Sequence, residues 1–149
     1  MRFWDWALSV YARQPVAVAC LHLQDAHGQN VPFLLWAAWT ALEGRPADLA
    51  RASALVRAWD VEIGAPLRGV RRALKPERPD VADPARESFR DQVKAAELAG
   101  EKLLMESLEA ICGPVGATAD VYGALLAAAR ASGEPPQDAA LARLADALA

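Results

Sequence analysis

Both histidines of the chain, His22 and His27, fall within five positions of one another, with Asp25 between them. Imidazoles and a carboxylate this close could hold a metal or shuttle a proton. On a helix, however, two histidines that share one metal sit four apart, as in H-E-x-x-H, and here they are five apart. Residues 22 and 25 can touch while 27 is expected to point elsewhere. The expectation is therefore a polar cap on the end of a buried helix, with His22 and Asp25 bonded to one another or to an arginine, and no metal or cofactor.

A second constellation is cationic. Arg68, Arg71, Arg72 and Lys75 stand at i, i+3, i+4 and i+7, which places four positive charges on one helical face while Leu67, Val70 and Leu74 turn inward. Residues 44–80 carry eight basic and five acidic side chains, whereas residues 81–149 carry six and eleven. The opposite charges predict that the arginines meet the Glu97–Glu101 segment, within one chain or across a homodimer. The other use of such a face is an anion or acidic-partner site, because the guanidinium fork suits carboxylate and phosphate. Nucleic acid is not expected, since the whole chain is acidic with a pI near 5.4.

Two acidic pairs, Glu87 with Asp91 and Glu97 with Glu101, repeat at i,i+4. That geometry can hold magnesium against a diphosphate, but Arg90 and Lys94 interleave, as on a solvated helix face. No P-loop, no G-x-S-x-G and no credible Cys–His pair is present.

The elements that must position these groups are helical. Alanine fills 34 of 149 positions, against 15 for Val, Ile and Thr together. Apolar periodicity marks helices over 3–13, 15–27, 31–43, 49–63, 67–75, 84–111, 119–131 and a short last stretch; 49–63 and 67–75 read as one helix, kinked or split at Gly64 and Pro66. Helices 15–27 and 31–43 are apolar on nearly every side and should form a buried central hairpin. The prediction is one all-α domain of six to seven helices. An exposed linker is expected at 76–83, and Asp83-Pro84 and Thr118 are expected to open the helices that follow. On the long helix Phe89, Val93, Ala96, Gly100, Leu103, Leu104, Leu108 and Ile111 form the expected buried stripe. All five tryptophans lie at or before Trp59, so the core should centre on the first half. The longest apolar block, residues 31–39, is about half of a membrane span. With two separated cysteines and no secretory leader, a cytoplasmic protein is expected.

Five blocks carry a resemblance: Phe3-Trp4-Asp5-Trp6-Ala7-Leu8, Tyr11-Ala12-Arg13, Leu23-Gln24-Asp25-Ala26-His27-Gly28, Pro66-Leu67-Arg68 with Arg71-Arg72-Ala73-Leu74-Lys75, and Val93 to Leu98. In this order they resemble a small proteobacterial family of unknown function, over roughly residues 3–110. The resemblance implies the helical class and a cytoplasmic location, and it brings no catalytic residues. After Gly28 this chain reads Gln29-Asn30-Val31, where similar sequences commonly have aspartate, valine and asparagine.

The function expected from these residues is non-catalytic: a protein partner or self-association through an exposed helical face. The alternative is a small enzyme or anionic-ligand carrier with a pocket among His22, Asp25, Trp36, Trp39 and Arg68.

Overall fold

The computed structural model describes all 149 residues and holds eight α-helices and no strand. They are α1 (Phe3–Tyr11), α2 (Gln14–His27), α3 (Val31–Leu42), α4 (Leu49–Trp59), α5 (Ala65–Ala73), α6 (Asp83–Ala110), α7 (Val121–Ser132) and α8 (Asp138–Leu148). A π-helical segment, Asp60–Gly64, joins α4 to α5 without a break, so the chain forms seven helical rods. The expected disruption at Gly64 and Pro66 is absorbed by this wider turn, which leaves the rod continuous and shifts its register by one residue.

Helix α3 is the axis of the bundle. Val31 and every residue from Phe33 to Ala41 are buried, and Asn30 caps it as its spacing predicts, Oδ1 accepting from the Phe33 N–H at 3.0 Å. The hairpin α2–α3 shares the interior unequally: α2 buries Val16, Cys20 and Leu23 and leaves Val18 and Leu21 exposed. Gly28, at φ 61°, closes α2 by donating to Gln24 while Gln29 donates to Leu23, and this left-handed turn swings the chain into α3.

The core is centred on the first half as expected, with Trp36, Trp39, Phe3 and Phe33 its largest fully buried side chains, and the C-terminal part completes it. Helix α7 packs along α3 and α8 along α2, and Leu125, Ala128, Leu141 and Leu144 are fully buried in the same core as Trp36 and Trp39. Trp36 Nε1 donates to the Leu108 carbonyl at 2.9 Å and to Cys112 Sγ at 3.0 Å, tying the axis to the end of α6. The Gly116 N–H donates to the Gly44 carbonyl and Gly113 to Pro46, which straps the loop before α7 to the end of α3.

Three local expectations are corrected. Helix α7 is capped by Asp120, whose carboxylate accepts from Gly123, and not by Thr118. Asp83 lies in the first turn of α6, with Ala82 at the cap. The stripe on α6 is shorter than expected: Val93, Leu104, Met105 and Leu108 are buried, but Phe89 and Leu103 are about half exposed. Helix α6 meets α5 more than any other element, and α5 buries no residue fully, so that contact is shallow.

Candidate functional site

The polar pocket expected around His22 does not assemble. His22 and Asp25 are exposed on the outer face of α2, and Asp25 has neither an ion pair nor a hydrogen bond. His27 does reach His22, with ring centroids 5.0 Å apart and nearly perpendicular, because the closing turn of α2 brings the two rings together. Trp36 and Trp39 are completely buried, and their N–H groups are satisfied by Leu108 and Met1 carbonyls. Arg68 lies on a different wall. Burial pushes the Cys20 thiol up to about 12, so it stays protonated at neutral pH.

The arginine face is set by the seating of α5 on α6. Arg71 Nε donates to Glu97 Oε2 at 2.6 Å, with both side chains mostly covered. Arg68 Nη2 donates to Asp60 Oδ1 at 2.5 Å, and a Cβ at Gly64 would come within 3.3 Å of that guanidinium, so glycine leaves room for the pair. Arg72 and Lys75 are exposed, and neither has a carboxylate within ion-pair distance. Two arginines of the stripe are thus neutralised inside the chain. Arg72 is a spare cation at the edge of a cleft.

That cleft, of about 340 Å³, lies between the α2–α3 turn, the π-helical segment with α5, and the middle of α6. Its walls bring Gln24, Gln29 and Asn30 to face Asp60, Arg68 and Arg72, with Glu97 and Glu101 along one side. Wide turns of this kind recur at functional sites because they re-aim side chains, and here the π segment delivers Asp60 and Ile63 to the wall. The first turn of α3 also faces the cleft, adding the positive end of a helix. Gln29 is 6% exposed, and its Oε1 accepts no hydrogen bond within the chain.

Glu101 keeps part of its side chain in solvent at the rim. Burial first, and the neighbouring Glu97 second, hold its carboxyl above the usual range against the pull of Arg68 and Arg71. Gln24, Val31, Pro32 and Glu101 also line a second depression of about 220 Å³ between α1 and α6, whose remaining walls are mostly apolar, Trp4, Leu8, Tyr11 and Leu98 among them. The two adjoin across those four residues and together make a groove, polar at the α5 end and apolar at the α1 end. Leu8 and Leu98 are about half exposed there. Burial, then the charges on Cys20, Glu101 and Asp25, raise the pKa of Tyr11, so its phenol remains a donor.

Each of the five blocks noted in the sequence sends at least one residue to this groove: Trp4 and Leu8, Tyr11, Gln24 and Gly28, Arg68 and Arg72, Glu97 and Leu98. Sequence reasoning singled out Arg68, Arg72, Glu97 and Glu101 and missed Gln24, Gln29, Asp60 and Leu98 as groove residues. The isolated polar residue between Gly28 and the Asn30 cap was the available signal for Gln29.

Residues 2–108 match the model of a family described as a protein of unknown function, DUF2390, and the chain belongs to that family. The matched stretch contains every residue of the groove named above. No curated protein and no solved structure gives a significant match.

Proposed function

We propose that this chain is a cytoplasmic, non-catalytic binding protein that holds a partner protein in the groove between α1, the α2–α3 turn, α5 and α6. One observation carries the reading: a polar cleft with a spare guanidinium adjoins an apolar depression whose Leu8 and Leu98 are left open to solvent. Half-exposed apolar side chains that border a concave surface mark places where proteins meet. The arginines do not form a free anion-binding stripe, since Arg68 and Arg71 are engaged within the chain.

A photo-crosslinking side chain at Leu98, compared with one at Val115, which is 64% exposed and outside the groove, tests the reading in native cytosol. A discrete adduct from position 98 alone is expected. Equal adducts from both positions would overturn it. A second reading, a small-ligand carrier, draws on Glu101, since a carboxyl raised above its usual range in a cleft is a mark of ligand sites. Native mass measurement of the purified chain separates the two, because a stoichiometric small molecule would favour the carrier.

A further inference from the structure

Helix α6 carries a second apolar surface that the groove does not use. Phe89, Gln92, Ala96, Ala99 and Leu103 recur at alternating spacings of three and four, so all five stand on one side of the helix. All five are exposed, with Phe89 at 51% and Leu103 at 53%. None of them lines the cleft or the depression beside it. The helix is held to the body by other residues, Val93, Leu104, Met105 and Leu108, so the stripe is apolar surface that the fold itself leaves without a partner.

The order of residues along the stripe makes it complementary to itself. Phe89 lies seven residues before Ala96, and Leu103 lies seven after it. When two α6 helices cross antiparallel with a two-fold axis at Ala96, each phenyl ring comes level with the leucine of the other copy, and the small side chains at 95, 96 and 99 let the backbones approach between them. The charges beside the stripe follow the same symmetry. Asp91 and Lys102 are eleven residues apart, close to three helical turns, and so share one flank. Asp91 is five residues before Ala96 and Lys102 six after it, so the same axis brings each carboxylate level with an ammonium of the other copy. Within the chain these two groups are held only at the edge of ion-pair range, Asp91 by Lys94 at 3.6 Å and Lys102 by Glu106 at 4.0 Å. We infer that the exposed stripe of α6 is a homodimer interface, in which a second copy of this chain packs antiparallel across Ala96. From Phe89 to Leu103 the stripe is about 21 Å long, which places the contact at the small end of specific interfaces, with a dissociation constant in the micromolar range.

Sedimentation velocity of the full chain over a range of concentrations tests this. The wild-type chain passes from one copy to two as concentration rises through the micromolar range. Leu103→Glu sets a carboxylate against Phe89 at both ends of the contact and weakens the dimer by about 100-fold or more. Val18→Glu, an equally exposed apolar position on α2, leaves it unchanged. Asp91→Lys and Lys102→Asp each weaken it about tenfold, the scale of two exposed ion pairs lost together, and the double variant recovers the wild-type value. A single copy at every concentration overturns the second copy as occupant. A dimer that Leu103→Glu leaves intact overturns the assignment to this face. A dimer that Leu103→Glu dissolves, but whose charge-exchanged double variant is no tighter than the single ones, overturns the antiparallel arrangement.

Discussion

Arg71 and Glu97 join α5 to α6 through a 2.6 Å bond from Nε to Oε2, made where the side chains keep 30% and 16% of their exposure. Helix α5 buries no side chain fully, so this bond and the Arg86 cluster hold it where it forms one wall of the groove. Arg71→Glu removes the pair and sets a third carboxylate beside Glu97 and Glu101. Stability should fall by about 1–3 kcal/mol. Adding Glu97→Arg to that variant should recover most of the loss, and urea denaturation of the two single variants and the double variant measures the coupling.

Arg86 is the one charged side chain that is nearly fully covered, at 5% exposure. Its Nη1 donates to the Leu74 carbonyl at 2.6 Å and the Lys75 carbonyl at 3.0 Å, and its charge is balanced by Asp83 and Glu87. The guanidinium therefore satisfies the open end of α5 from the first turns of α6. Arg86→Met keeps the bulk and deletes the donors, at an expected cost of about 2–4 kcal/mol in the same denaturation assay. Hydrogen exchange should quicken first in α5, whose amides lose their anchored end.

Gly44 and Gly28 share a left-handed conformation, φ 64° and 61°, but not its surroundings. A Cβ on Gly28 meets nothing within 4 Å, whereas one on Gly44 would stand 2.4 Å from the Gly116 carbonyl oxygen. Gly28→Ala should cost about 1–2 kcal/mol, the penalty for an L-residue in that conformation. Gly44→Ala should cost more, because the strap to the loop before α7 must also move. Melting curves of the two variants give the order.

The Glu101 carboxyl has a folded-state pKa above the ordinary value, chiefly through burial and then through Glu97. The folded chain therefore binds this proton more tightly than the unfolded chain does. The associated stability is fully present below about pH 4.3, the ordinary glutamate value, and is lost as pH rises through the raised one. Glu101→Gln removes the dependence. It should raise the melting temperature near pH 7, with the gain shrinking as pH falls and vanishing below about pH 4. A gain that persists in acid would place the effect elsewhere.

The helices were legible in the sequence because each is a local object. The 3.6-residue recurrence of apolar groups marks α4 and α6, the Asn30 oxygen lies within reach of its own first turn, and Gly28 can adopt a left-handed turn that other residues resist. The pairing of opposite charges was legible for a similar reason: Arg71 and Glu97 stand on neighbouring helices joined by a short linker.

Burial and convergence were not local, and only the tertiary structure decided them. Phe89 and Leu103 have the period of a buried stripe, yet no neighbouring helix covers either fully, and periodicity says which face is apolar without saying whether anything covers it. The same limit put His22 and Asp25 in an expected pocket, when α2 turns that face to solvent. Gln24, Gln29, Arg72 and Leu98 become one groove only after α2, α3, α5 and α6 are docked. Helical propensity and charge act over a few residues along the chain, whereas a groove is the space left between rods, set by which side chains interlock across residues far apart in sequence.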